Sequence, residues 1–329
     1  MILAAGFGTR LGPLTEQRPK PMLPICGAPL VTWAVRWLVH HGVHDIVVNL
    51  HHLGEQIEAE LGDGSRHGAR VQYSHEEGMI LGTGGGLRQA RPLFDDGTDR
   101  PLVVVNGKIL VDFDLATLLR QHEARHAEAT MVLRPDHRAA QWGSLRLAPD
   151  GRIVELLTRR RAGEEDAAAG PPLMFTGIHV MQPRFLDRIP PEGEQCIIRT
   201  AYRQAFDEGA ALYGVSTDRY WWEHSTPARY LEGVANVLEG RVDLAYSPGP
   251  IVGVDPRAEV SADATIVPPV WIGPRAQVLA GATVGPRVQL GADTRVAAGV
   301  TVRDAIVWDG AEVTTDVEAS VVTPLGTVQ

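Results

Sequence analysis

The residues best equipped for chemistry sit at the start of the chain. Leu3-Ala4-Ala5-Gly6-Phe7-Gly8-Thr9-Arg10-Leu11-Gly12-Pro13-Leu14-Thr15 is followed by Arg18-Pro19-Lys20-Pro21. A short apolar run enters a glycine-rich turn, and the turn delivers an arginine and, ten residues later, a lysine. Glycine lets backbone N–H groups approach a phosphate chain, because no Cβ stands in the way. Arg10 adds a planar fork of donors and Lys20 a point charge. This pattern predicts polyphosphate binding. It lacks the Gly-Lys-Ser/Thr that closes a P-loop and the third glycine of a dinucleotide-binding turn.

The same run, with its Arg-Pro-Lys-Pro extension, resembles the signature of the sugar nucleotidyltransferases, the nucleoside-diphosphate-sugar pyrophosphorylases, in a mannose-1-phosphate guanylyltransferase-like layout. The resemblance implies attack of a sugar-1-phosphate oxygen on the α-phosphorus of a nucleoside triphosphate, yielding a GDP-mannose-like sugar nucleotide and pyrophosphate. Arg10 and Lys20 would neutralise charge. Leu3, Ala4, Ala5, Gly6, Gly8 and Thr9 would meet the nucleotide. Glu76-Glu77-Gly78-Met79-Ile80-Leu81-Gly82-Thr83-Gly84-Gly85-Gly86 resembles the base-recognition loop, with Gly82 and Thr83 against the base and Glu76 or Glu77 accepting from a guanine edge. Taken alone, that stretch reads as a turn and a helix start. Trp142-Gly143 and Phe175-Thr176-Gly177-Ile178 fall where the family builds its sugar pocket, Gly143 and Gly177 giving close backbone approach and Thr176 a hydroxyl. Arg159 is the nearest match to a phosphate-binding lysine whose usual Glu-Lys-Pro setting is missing. Read without the resemblance, these glycines are bends between strands.

The departures concern the metal. The resemblance implies Mg²⁺ held between two carboxylates, one in an Asn-Gly-Asp and one in a Trp-x-Asp-x-Gly-Thr-Pro segment. Here the first reads Asn106-Gly107-Lys108 and the second Trp221-Trp222-Glu223-His224-Ser225-Thr226-Pro227. Exchanging −1 for +1 at about 4 Å from a divalent ion costs on the order of 10 kcal/mol even at an effective dielectric of roughly 20. Three outcomes stay open. Lys108 replaces part of the metal's charge; or a displaced Mg²⁺ is held by the triphosphate and Glu223, with Asp112 or Asp114 assisting; or the chain binds sugar nucleotides without making them, as a catalytically impaired sensor or regulatory subunit. Asp114 also reads as a helix cap.

Elements must position these residues. Asp45 to Leu50, Arg70 to Tyr73, Pro101 to Val105 and Thr130 to Leu133 read as strands; Pro29 to His41, Leu53 to Leu61, Leu87 to Phe94 and Leu115 to His126 read as helices. The alternation predicts a largely parallel α/β sheet with ligands at the carboxyl ends of its strands, and the resemblance implies a Rossmann-like, glycosyltransferase-A-like domain over 1–240. The charged stretch from Arg159 to Asp166 reads as a solvated loop, and Ser247-Pro248-Gly249-Pro250 as a linker. Beyond it Val254, Val260, Ile266, Ile272, Val278, Val284, Leu290, Val296 and Val302 recur with a period of six. That grammar predicts a β-helix over 251–329; its left hand is implied by the resemblance. No histidine follows His224, which argues against acyl transfer there and for oligomerisation or allosteric packing.

A chain of 329 residues has room for two domains, and a net charge of −9 argues against nucleic acid or an anionic membrane as partner. The two cysteines, Cys26 and Cys196, lack metal-ligand spacing and read as reduced thiols. No membrane-length apolar run or signal peptide is present, which points to the cytoplasm. Family members carry a few residues before this signature, so the resemblance also implies a start upstream of Met1, and it leaves room for a homo-oligomer or a hetero-oligomer with an active homologue.

Overall fold

Asp-Ile-Val-Val-Asn-Leu becomes the strand Asp45–Leu50, buried over its last five residues, because β-branched side chains suit a pleated surface covered on both faces. The computed structural model describes residues 1–136, 139, 143–161 and 170–329. Trp142 and the acidic part of the predicted solvated loop lie outside them. By its internal contacts the chain forms two compact units, one of Met1–Gly6, Trp37–Gly107 and Phe113–Trp221, the other of Phe7–Arg36, Lys108–Asp112 and Trp222–Gln329.

The first unit is built on a ten-stranded sheet. Leu102–Asn106, Ile2–Leu3, Asp45–Leu50 and Arg70–His75 lie side by side and parallel. Beyond Leu102–Asn106 the expected parallel order gives way. Leu173–Met181 runs antiparallel to it and to Ala129–Pro135, and Leu145–Leu147, Ile153–Leu156 and Arg159–Arg160 pair antiparallel in turn. Parallel neighbours need a crossover of helical length, whereas the turns at 148–152 and 157–158 are short enough only to reverse the chain. The core packs Leu87, Met131, Leu133, Leu156, Phe185 and Tyr202.

One helix differs from its expected span. It covers Gly82–Ala90 rather than beginning at Leu87, so three consecutive glycines are helical and buried. Glycine disfavours a helix interior by roughly 1 kcal/mol each. Packing overrides this: Gly84 N donates to Gln195 O at 2.7 Å, an approach that side chains on this face would block.

In the second unit the six-residue period becomes three parallel ladders. Gly253 faces Trp271, Glu259 faces Gln277 and Thr265 faces Thr283, each eighteen residues on, or three hexapeptides per coil. Ile272, Val278, Val284, Leu290, Val296 and Val302 point inward and are buried, as a β-helix requires. The last coil shortens, with Ile306 facing Val321, and Gly326–Val328 folds back antiparallel over Val321–Thr323.

Candidate functional site

In the second unit the signature turn is wound around Gly8. Its φ of +71° is left-handed, and a Cβ there would lie 2.9 Å from Thr15 Cγ2 and 3.3 Å from Lys20 Cβ and Cε. Only glycine lets the lysine stem lie against the turn. Leu11 N donates to Gly8 O at 2.9 Å and Gly12 N to Thr9 O at 3.1 Å, closing a tight turn that leaves Thr9 and Arg10 exposed. Pro19 and Pro21 bracket Lys20, which is only 7% exposed.

Two cations meet at one carboxylate, with Lys20 within electrostatic reach. Lys108 Nζ lies 2.7 Å from Glu223 Oε1, and Arg10 Nη2 lies 3.6 Å from the same oxygen. Backbone pairing fixes the two partners: Ile109–Val111 runs beside Trp221–Glu223, and His224 N donates to Lys108 O at 3.3 Å. Glu223 stays ionised below the ordinary carboxylate range, because Lys108, then Lys20 and Arg10, outweigh the burial that opposes its charge. Lys20 is pushed down to about 8 by burial first and by Lys108 second, with Glu223 acting in the opposite sense. The ring of His224 is fully buried, and burial lowers it to about 3, so it adds no charge.

This donor set does not fit the two-carboxylate Mg²⁺ site that the resemblance implies. Among the described residues no three His, Cys, Asp or Glu side chains gather to hold a metal ion. Asp114, the assisting candidate, caps the helix Leu115–Ala124 as expected, accepting from Ala116 N at 3.0 Å.

The first unit holds the residues expected at the nucleobase. They follow the carboxyl ends of the parallel strands, the position that open α/β sheets reserve for ligands. Ala4 and Ala5 are buried and Gly6 exposed after Leu3. Ala4 N donates to Asn49 Oδ1 at 2.8 Å, Asn49 Nδ2 donates to Glu76 Oε1 at 2.6 Å, and Leu81 N donates to Glu76 Oε2 at 2.7 Å. Glu76 is 3% exposed with both oxygens engaged. It ties the loop together instead of offering a free acceptor to a base; Glu77, its exposed neighbour, keeps that freedom. Thr83 is also engaged, its Oγ1 accepting from Ile197 N at 3.0 Å, and Gly82 packs on Gln195.

The expected sugar residues of the same unit are used in different ways. Gly177, at φ +83°, backs on Asn106, whose Nδ2 a Cβ there would approach to 2.1 Å. Thr176 is buried and its hydroxyl donates to Val132 O at 2.8 Å inside an irregular stretch of the sheet, so it is not a free sugar partner. Gly143 packs against Leu157. Arg159 is paired with Asp207 at 2.7 Å on the short edge strand.

Sequence reasoning missed Asn49, Asn106 and the coil residues that hold the Lys20 segment. In the second unit the hairpin of Pro24–Ile25 and Ala28–Pro29 follows Lys20 directly. Gln289, buried within the coils, accepts from Cys26 N at 2.7 Å and donates to Pro24 O at 3.1 Å. Tyr230 OH donates to Pro24 O at 2.7 Å and accepts from Trp308 Nε1 at 3.2 Å. Arg18 lies over the Trp308 ring at 4.9 Å. Tyr230 lies on the helix Pro227–Leu238; the period of six marks Gln289 and Trp308 as coil but carries no sign that Gln289 has a partner nearly 270 residues away.

With this geometry in place, similarity to known proteins becomes decisive. A family model described as nucleotidyl transferase matches residues 1–240. The chain belongs to that family. Among relatives, it is 31% identical over 262 residues to the UTP–glucose-1-phosphate uridylyltransferase of Synechocystis, covering 76% of this chain and 66% of that protein. It is 30% identical over 249 residues to the mannose-1-phosphate guanylyltransferase of Mycobacterium tuberculosis, covering 75% and 66%. The chain thus spans just under two thirds of each of these relatives. The crystal structure of HddC from Yersinia pseudotuberculosis superposes with a TM-score of 0.58 over 72% of this chain and 97% of that one, at 19% identity, which supports the family fold. No helix among the described residues is long and apolar enough to cross a membrane.

Proposed function

We propose that the chain is a sugar-1-phosphate nucleotidyltransferase. A bond forms between a phosphate oxygen of the sugar 1-phosphate and the α-phosphorus of the nucleoside triphosphate. The bond from that phosphorus to the α–β bridging oxygen breaks, and pyrophosphate leaves with the electron pair. The attacking oxygen is already anionic near neutral pH, so the protein's task is to position reactants and neutralise charge. The observation that carries this reading is the pairing of Arg10 and Lys108 with Glu223 behind the glycine turn, with the buried Lys20 close enough to feel all three charges. Half-exposed Arg10 suits the outgoing pyrophosphate and enclosed Lys20 the α-phosphate. The backbones of Leu3 to Gly6, Gly8 and Thr9 suit the nucleotide, with Gly82 and Thr83 at the base.

The domain division proposed is a transferase domain over 1–240 and β-helix coils over 251–329. GTP with mannose 1-phosphate is the first pair to test, because the guanylyltransferase of M. tuberculosis matches over three quarters of the chain. UTP with glucose 1-phosphate follows from the Synechocystis relative. The test is pyrophosphate release by the purified protein across a panel of triphosphates and sugar 1-phosphates. Turnover with one pair, lowered about 10²- to 10³-fold in Lys20→Ala, is the expected result. Tight binding of a sugar nucleotide with no turnover for any pair would replace the enzyme by a sensor or regulatory subunit.

A further inference from the structure

We infer that Lys108 supplies, as a fixed ammonium, the positive charge that a divalent cation would supply at a two-carboxylate site, so that this protein itself provides no catalytic metal site. The inference rests on the nucleotidyl-transfer reading above and names how that site is charged.

A Mg²⁺ ion bound to Glu223 would sit at about 2.1 Å from its oxygen. The Lys108 ammonium already stands 2.7 Å from that oxygen. At roughly 4 Å and an effective dielectric of about 20, a divalent ion and an ammonium repel by about 8 kcal/mol, before Lys20 and Arg10 are considered. Lys108 and Glu223 together are neutral, as a divalent ion between two carboxylates would be, and Arg10 and Lys20 add their charge equally in either arrangement. An ammonium has three N–H donors. One is directed at Glu223, and the side chain is about one third exposed, so the other two are open to phosphate oxygens. Glu223 then orients the ammonium instead of binding metal. The adjacent strands Ile109–Val111 and Trp221–Glu223 hold both groups before any substrate arrives, the preorganisation that makes fixed charge effective in a transition state.

Two measurements on the full chain test this. Manganese(II) alone is titrated into the protein and free Mn²⁺ is read by electron paramagnetic resonance. The native chain is expected to bind none stoichiometrically at micromolar concentrations; one ion bound per chain would overturn the inference. Pyrophosphate release is then compared in excess EDTA and in Mg²⁺. The native rate is expected to change by less than about threefold, whereas Lys108→Asp should fall about 10²- to 10³-fold in EDTA and recover with Mg²⁺. A native rate that collapses in EDTA by that factor would overturn the inference. Lys108→Arg, which keeps the charge, should lose less of the native rate in EDTA than Lys108→Asp; a loss as large as that of Lys108→Asp would overturn the inference. Failure of every substrate pair in both conditions counts against the transferase reading instead. GDP-mannose binding by calorimetry in EDTA then decides the role of Lys108. Weakening of about tenfold in Lys108→Ala, the loss of one charge-assisted contact, supports it, and unchanged affinity overturns it.

Discussion

Lys20 is a cation held where charge is disfavoured. It is almost fully buried, and burial together with nearby Lys108 brings it down to about 8. Because the shift is downward, the protonated form is present below pH 8 and is lost as pH rises through that value. On the transferase reading proposed above, a phosphate arriving beside Lys20 supplies an anionic partner and stabilises the ammonium. For free enzyme, kcat/KM should therefore fall on the alkaline side with an apparent pKa near 8. Lys20→Arg should push that limb above about 10, since a guanidinium does not deprotonate in this range. A pH profile of kcat/KM for both proteins checks the sign. A native limb that stays flat to pH 10 would separate Lys20 from substrate binding. Glu223 behaves in the opposite way: its neighbours keep it ionised, so the ion pairs around it are lost only on acidification below the ordinary carboxylate range.

At the scale of elements, the hexapeptide coils do more than cover themselves. Gln289 fills hydrogen-bonding needs at Cys26 N and Pro24 O, and Tyr230 adds a second donor to Pro24 O. All three bonds fix the hairpin that follows Lys20. Gln289→Leu removes the two made by Gln289 while keeping bulk, leaving the buried Cys26 N–H unpaired and Pro24 O with one donor fewer. An unsatisfied buried group costs about 1–3 kcal/mol, so a loss of about 2–4 kcal/mol is expected in urea unfolding. If the coils position the glycine-rich turn, kcat should drop in the variant under conditions where it remains folded. Coils that serve only to oligomerise would leave kcat unchanged.

For the whole molecule, the compact unit containing the signature turn is completed by sequence from its far end. Phe7–Arg36 shares its unit with Trp222–Gln329. Ending the chain at residue 250, where the composition changes, removes Gln289 and Trp308 together. The truncated protein is expected to be insoluble or to lose cooperative unfolding, as circular dichroism during heating would report. A soluble, cooperatively folding 1–250 fragment with native nucleotide affinity would show that the transferase part stands alone.

The strand Asp45–Leu50, the tight glycine-rich turn, the cap at Asp114 and the period-six coils could all be read from neighbouring residues, because propensity, turn chemistry and repeat spacing act over a few positions. Lys108 in place of an expected aspartate was equally plain, since one letter carries its charge. Other features depended on residues far apart in sequence meeting in space. The helical glycines of Gly82–Ala90 pack on Gln195, and Glu76 is engaged by Asn49 and Leu81. Thr176 is drawn into the sheet by Val132, and Gln289 reaches Pro24. Local spacing told which groups could carry charge or approach a phosphate. Burial and hydrogen bonding decided which of them kept a free donor or acceptor, because a polar group removed from water must take whatever partner the fold brings to it.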